Sequence, residues 1–448
     1  MHLIFFLSGI LLFTLENIIT LISIREGEYL AARRSFFISL IMAIPFILLA
    51  LVNFPFRNLI GYSLLGIGAF SVTILLLPLP EKNRKSYKRP TNRLDERDTM
   101  FSRNRLAKGT ENYQNYYKNN PDKRVIDDRI RENPGLLSPE SKFYHKQWFQ
   151  AADTNFKTVK DLRKKVNGPV VTDKQINCPP QENTNFIKNW LNELGVLDTG
   201  VTRLKDYHVY SHGGRDERYG KEFEPVHKFA IAFTVPMDFR MVNCAPRAPI
   251  VFESSRRYLQ SAQIAVNLAR YIRLRGFPAR AHIDGNYKVI CPLVARDAGL
   301  GEIGRMGILI TPQHGPRVRI GVVTTNLPLI PDQPEYSSSV IDFCEHCKKC
   351  ARICPSNAIP FDGRKLVNGV KRWRINQESC FQYWTEIGTD CGQCMRVCPY
   401  SHPDNFFHNL IRKEIDSSPL FRKLATVMDD FFYGKHPVSK EMPDWETK

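Results

Sequence analysis

No histidine lies between Leu3 and Leu79, although that stretch holds the chain's longest apolar runs. Those runs therefore cannot hold a haem between two histidines. Acidic residues are missing between Glu302 and Asp332. The G-x-G-x-x-G of Gly299, Gly301 and Gly304 thus lacks the carboxylate that a dinucleotide ribose needs about 20 positions on. Gly307, Pro312, Gly315 and Pro316 follow within a few residues. They leave room for a short helix, where a Rossmann loop opens a long one. Cysteine is sparse over most of the chain. Only Cys178, Cys244 and Cys291 fall outside residues 344–398. That distribution excludes a disulfide framework and reads the three as buried thiols. No nucleic-acid motif is present. The formal charge of +18 fits nucleic acid, anionic lipid or an acidic electron donor when taken alone. Its nearest basic cluster flanks apolar segments, so nucleic acid is not expected as a partner.

Three apolar runs open the chain, Leu3–Ile24, Ser35–Phe54 and Leu59–Leu79. Each approaches the roughly 20 residues that cross a bilayer core. Residues 1–80 therefore read as a membrane anchor. Arg25, Arg33 and Arg34 lie between the first two runs and Arg57 between the second and third. Lys82, Arg84, Lys85, Lys88, Arg89 and Arg93 follow the third. The positive-inside rule puts the N-terminus outside and everything beyond residue 80 on the cytoplasmic side. A competing reading takes "ARRSFF", Ala32 to Phe37, as a twin-arginine export signal. Against it, a full span precedes the arginines and no small-residue cleavage site follows. Glu16 and Asn17 lie inside the first run, where polar groups are functional suspects or face another helix.

Residues 81–140 are polar and read as a segment wrapping onto the next domain. In residues 141–335, His227–Met237 and Arg317–Leu329 read as strands. Ser254–Gly276 reads as an amphipathic helix, with Tyr258, Leu259, Ala262, Ala265, Leu268, Ala269 and Ile272 on one face. Residues 336–402 hold eight cysteines, and residues 403–448 read as a short tail.

The run Cys344-x2-Cys347-x2-Cys350-x3-Cys354-Pro355 has the order of a bacterial [4Fe–4S] ferredoxin. A second set follows, Cys380-x10-Cys391-x2-Cys394-x3-Cys398-Pro399. In two-cluster ferredoxins the fourth cysteine of each run serves the other cluster. One cluster is then expected on Cys344, Cys347, Cys350 and Cys398. The second is expected on Cys354, Cys380, Cys391 and Cys394. Zinc also takes four thiolates, but not in this doubled order with proline.

The segment "ARDAGLGEIGRMGILITPQHGPRVRIGVVTTNLPL" with two ferredoxin runs behind it resembles the corrinoid iron–sulfur reductive dehalogenases. "DERDTMFSRNRL", Asp95 to Leu106, resembles the start of their mature region, and the similarity runs from about residue 95 to 405. The resemblance implies an α+β chain. Its parts are a nitroreductase-like α/β corrinoid-binding core, a ferredoxin-like two-cluster module and, here, three transmembrane helices in front. It implies a cobalamin and two [4Fe–4S] clusters, and an organohalide substrate whose carbon–halogen bond becomes carbon–hydrogen; the charge rule, not the resemblance, puts that catalysis on the cytoplasmic face. The electron donor stays open between quinol, ferredoxin and flavodoxin. The glycine segment Gly299, Gly301, Gly304, Arg305 and Gly307 would bind the corrinoid. Tyr258 matches the family's proton donor and Arg319 the arginine beside it, expected to lower the tyrosine's pKa. Asn286 lies near a polar substrate-pocket position, at a different spacing. Without the resemblance, Tyr258 reads as a core residue and Arg319 as a structural ion-pair partner. Two alternatives remain. Epoxyqueuosine reductases share the glycine segment and both cysteine runs, and Asp284 lies near their proton-donating aspartate. A membrane-anchored ferredoxin-type carrier would explain spans and clusters, but not the α/β core.

Overall fold

The computed structural model describes residues 2–77, 89–172, 175–333 and 338–443. Lys82, Arg84, Lys85 and Lys88, used above for orientation, lie outside the described residues. The chain divides into two compact units. Residues 1–83 join residues 403–437 in the first, and residues 84–402 join 438–448 in the second.

In the first unit three helices, His2–Arg25, Tyr29–Leu51 and Arg57–Leu76, are long and apolar enough to cross a membrane. They anchor the protein to it. Their large apolar side chains point outward, as lipid-facing helices require. Polar side chains instead bind the first span to the second. Ser35 Oγ donates to a Glu16 carboxylate oxygen at 3.1 Å, and Asn17 Nδ2 donates to Ser39 Oγ at 3.2 Å. Glu16 and Asn17 therefore face another helix. Residues 403–437, read from sequence as part of a tail, form two helices, Phe406–Ser417 and Pro419–Tyr433.

The second unit is built on a four-stranded antiparallel sheet. Its strands are β1 (Asp198–Arg203), β2 (Phe229–Pro236), β3 (Ala279–His282) and, after a two-residue hairpin of β4 (Glu302–Ile303) and β5 (Leu309–Ile310), β6 (Val318–Thr325). The order is β1-β2-β6-β3. Both faces are covered, which is why β2 reads as a nearly unbroken apolar run. Ile231, Phe233 and Val235 meet the core helix Ala248–Leu274 on one face. Ala230 and Ala232 meet the helix Cys291–Asp297 on the other.

The core helix starts six residues before the run expected from periodicity, with Pro249 in its first turn. Proline suits that turn because the amide it lacks would have no helical partner there. Ala262, Ala265, Leu268, Ala269 and Ile272 are fully buried, as their i, i+3, i+4 spacing predicts. Residues 81–140, expected to be little more than a wrap, carry the helices Glu111–Asn119 and Pro121–Arg131. A buried Arg103–Asp127 pair at 2.6 Å ties the second of these to Met100–Arg103. The last residues return to this unit, where the Lys440 amide donates to Asn243 O at 2.9 Å.

Candidate functional site

Two features approach each other at one end of the sheet. The first is a polar cluster on the core helix and β6. Arg319 stands on the face of β6 that meets the core helix, and its guanidinium lies 4.8 Å from the centre of the Tyr258 ring. Arg319 Nη2 donates to Ser254 Oγ at 2.5 Å and to Asp390 Oδ2 at 3.1 Å. Ser254 Oγ also donates to Asp390 Oδ2. Ser254 and Tyr258 are one helical turn apart, so one arginine reaches both. Sequence reasoning brought Tyr258 and Arg319 forward but missed Asp390 and Ser254. The available signals were the i, i+4 spacing of Ser254 to Tyr258 and a carboxylate directly before Cys391.

The Tyr258 hydroxyl makes no hydrogen bond among the described residues, while Arg319 Nε and Asp390 Oδ1 are buried without hydrogen-bond partners. A donor and an acceptor orphaned side by side mark a place completed by a polar ligand. Tyr258 is held above its ordinary pKa of 10, because burial outweighs the nearby Arg319 charge, which acts the other way. The expectation of a lowered value is thereby corrected. The Arg319 charge favours the phenolate but does not offset the loss of water around the hydroxyl. Burial likewise raises Asp390, opposed by Arg319.

Asn286 is placed elsewhere. Its Oδ1 accepts from Arg280 Nη2 at 2.6 Å, and no contact joins it to Tyr258 or Arg319 among the described residues. Asp284 stands nearer in electrostatic terms, raising Tyr258 by its negative charge. It also pairs with Arg163 at 3.8 Å.

The second feature is the glycine segment. Its entry is pinned at Asp297, which accepts from Tyr207 Oη at 2.5 Å, contacts His208 Nε2 at 3.0 Å and pairs with Arg296 at 2.8 Å. Those partners hold the Asp297 carboxyl down to about 2 against the pull of burial. After Gly304 the chain forms the β4–β5 hairpin instead of the expected short helix. The reason lies in two glycines. A Cβ on Gly301 would sit 2.2 Å from Ile310 O, and one on Gly304 would sit 2.4 Å from Ile310 Cδ1 and 3.4 Å from Cys344 Sγ. Both are needed for the hairpin to close on itself, and Gly304 for its approach to the cysteine module. Gly299 and Gly307 turn the chain at φ +86° and +77°.

Arg305 is fully buried and donates to Cys344 O at 3.0 Å, Pro360 O at 2.7 Å and Asp362 O at 2.9 Å. Trp373 lies under its guanidinium at 4.6 Å. It clamps the glycine segment to the cysteine module. Arg305→Leu is expected to destabilise that module by on the order of 4 kcal/mol, the scale of several buried carbonyls losing a charged donor. The measurement is iron retained after anaerobic purification. Full retention at an unchanged melting temperature would refute the clamp.

All eleven cysteines are free thiols. Cys244 and Cys291 are buried, and Cys178 accepts from Arg275 at 3.1 Å. The other eight fall into two neighbourhoods. Cys398 feels Cys344, Cys347 and Cys350 electrostatically. Cys394 feels Cys391, Cys380 and Cys354, with Cys350 between the groups. Burial pushes Cys344 up to about 11 and Cys350 and Cys391 to about 12, so ligation must release their protons. Among the described residues no three ligating side chains close on a single ion. Thiols set around a cube stand further apart than thiols around one zinc ion. Asp390, beside Cys391, joins the polar cluster to the cysteine module through one peptide bond.

These features define an iron–sulfur protein with an α+β core. Residues 343–402 match the 4Fe-4S dicluster domain. By sequence and by fold the chain is similar to reductive dehalogenases. It is 32% identical over 305 residues to a tetrachloroethene reductive dehalogenase of Sulfurospirillum multivorans, covering 60% of each chain. It is 32% identical over 230 residues to another from Desulfitobacterium hafniense, covering 49% of this chain and 41% of that one. The solved structure of a catabolic reductive dehalogenase superposes with a TM-score of 0.63 at 25% identity, over 78% of this chain and 49% of that one. The chain thus spans less than two thirds of the length of each.

Proposed function

We propose that this protein is a membrane-anchored reductive dehalogenase. It replaces carbon–halogen by carbon–hydrogen in an organohalide, consuming two electrons and one proton and releasing halide. The observation that carries the reading is the cluster of Tyr258, Arg319 and Asp390, set directly before Cys391 and left with two orphaned polar atoms. Two [4Fe–4S] clusters, on the cysteine sets expected from spacing, would relay single electrons to a cobalamin. Bound cobalamin would supply a reducible metal centre for cleavage of the carbon–halogen bond, and the protein supplies position and charge.

The chain's own contribution is proton delivery and loop geometry. Tyr258 Oη, neutral and unbonded, holds the proton that ends on carbon. Arg319, fixed by Ser254 and Asp390, stabilises the phenolate left behind. Gly307 has only Ile375 at 3.6 Å from a Cβ position and leaves backbone open to a flat ligand. Gly299, Gly301, Gly304 and Arg305 set the path of that backbone. Asn286, held by Arg280, is assigned no step. The electron donor belongs to the class of quinol, ferredoxin or flavodoxin.

Anaerobic purification with iron and cobalt analysis, then halide release from a panel of aryl and alkyl halides, tests the proposal. Iron without cobalt would assign the protein to electron carriage instead. The arginines between the first two spans support a cytoplasmic position for the catalytic unit. Alkaline phosphatase fused after residue 95 is expected to stay inactive; an active fusion would reverse the topology.

A further inference from the structure

The two helices Phe406–Ser417 and Pro419–Tyr433 bury several charged side chains and leave several large apolar ones exposed. Each is capped in the ordinary way, by Asn405 accepting from the His408 amide and Ser418 from the Phe421 amide. Their buried side carries His408, Arg412, Arg422 and Asp429 together with Ile415, Phe421 and Ala425. Arg422 donates to Ile415 O at 2.7 Å and Asp416 O at 2.8 Å, tying the second helix back to the first. His408 Nε2 meets Glu26 at 3.1 Å, and Asn405 Nδ2 donates to the same carboxylate at 2.7 Å. Exposed to the surroundings instead are Phe406 (85%), Leu410 (43%), Leu420 (45%), Val427 (65%), Met428 (37%) and Phe431 (47%). In the second helix Leu420, Val427, Met428 and Phe431 follow i, i+7, i+8 and i+11, a single stripe. In water so many large apolar side chains on one exposed stripe would lack cover.

The surroundings of the stripe identify what covers it. The hairpin packs in the same compact unit as the three spans. The Arg34 guanidinium lies 4.9 Å from the centre of the Phe431 ring and donates to its carbonyl. Leu30 Cδ2 is 3.6 Å from a Cβ position on Gly434. Both contacts fall at the start of the second span, next to the arginine-bearing turn, where the chain leaves the hydrocarbon. A stripe at that level continues the lipid-facing surface of the spans. Charge argues for lipid over an acidic partner. Residues 403–437 hold five Lys and Arg and five Asp and Glu, so the attraction is apolar and not ionic.

We propose that the C-terminal helix pair is an in-plane membrane element. Its stripe inserts at the boundary of headgroups and acyl chains of the leaflet next to the arginine-bearing turn. The inference is independent of the reaction catalysed. The test uses the full-length, iron-loaded protein in phosphatidylcholine vesicles doped with a diazirine phosphatidylcholine, whose carbene forms high in the acyl chain. After irradiation and digestion, lipid adducts are expected on Phe406–Leu410 and Leu420–Phe431 as well as on the spans. Replacing part of the phosphatidylcholine by phosphatidylglycerol should leave the pattern unchanged.

In Val427→Glu/Met428→Gln, labelling of residues 419–433 should fall about fivefold while span labelling and iron content hold. Those two side chains touch none of the Glu26, Arg34 or Arg422 contacts, so the hairpin keeps its fold. Labelled spans with an unlabelled hairpin overturn the proposal. So does protection that rises with protein concentration together with a dimer in mass photometry, which gives the stripe to a second copy.

Discussion

Tyr258→Phe will lower halide release by about 10²–10⁴-fold, the range lost with a positioned proton donor. Iron and cobalt contents, and reduction of the clusters by a chemical donor, will be unchanged. The phenyl ring keeps its packing against Phe156, whose ring centre lies 6.2 Å away, and its stacking under Arg319. Only the hydroxyl is removed, and it has no hydrogen-bond partner among the described residues to strand. Retained turnover would return Tyr258 to the core. The pH profile supplies a second readout. A proton donor must be neutral, and burial holds Tyr258 above its ordinary pKa of 10. Its ionisation therefore removes activity only above about pH 10. An alkaline loss below that value that disappears in the phenylalanine variant would mean that the Arg319 charge wins. Asp390→Asn acts through Arg319, loosening its hold on the ring. Its expected signature is a smaller loss, about tenfold, with the tyrosine limb shifted and iron retained.

The second large effect concerns the fourth ligand of each cysteine run. Cys398→Ser will abolish the cluster shared with Cys344, Cys347 and Cys350, and Cys354→Ser the cluster shared with Cys380, Cys391 and Cys394. Each will halve the iron from about eight to about four per chain. The discriminating measurement is the pair of double variants. Cys344→Ala with Cys398→Ala should lose no more iron than either alone, because both serve one cube. Cys344→Ala with Cys354→Ala should lose nearly all, although the two lie in one run. The reverse pattern would mean that each run closes on itself. The basis is the neighbourhood of Cys398, which feels the three leading cysteines of the other run.

The cysteine module was legible because cluster ligation is written in short spacings. Sheet and core helix were legible because β2, β6 and residues 254–276 carry clean periodicities. What escaped depended on partners far along the chain. Asp390 becomes conspicuous only when Arg319, 71 residues earlier, is seen against it. The glycine segment pointed to a short helix because Gly and Pro crowd it. The pairing of Glu302 with Ile310 and Ile303 with Leu309 makes it a hairpin. Asn286 matched a motif position loosely, and Arg280 claims its side chain. The helices Phe406–Ser417 and Pro419–Tyr433 were missed because their apolar residues are divided between a buried side and an exposed stripe, which blurs the single apolar face that helix recognition looks for.

The membrane unit is assembled from two stretches far apart in the chain, residues 1–83 and 403–437. Its spans leave the ribosome before the cysteine module, and residues 403–437, which complete the unit around Glu26, leave after it. Some 320 residues, with all eight ligand cysteines, are made in between. Closing so long a loop costs little more than closing a short one, since the penalty grows only with the logarithm of length. The order of synthesis is the stricter constraint. Until translation has passed residue 408, Glu26 lacks His408, and until residue 405 it lacks Asn405, so a chain broken off within the cysteine module carries an unfinished anchor. Sealing of the anchor thereby reports that the electron-carrying segment has been made in full.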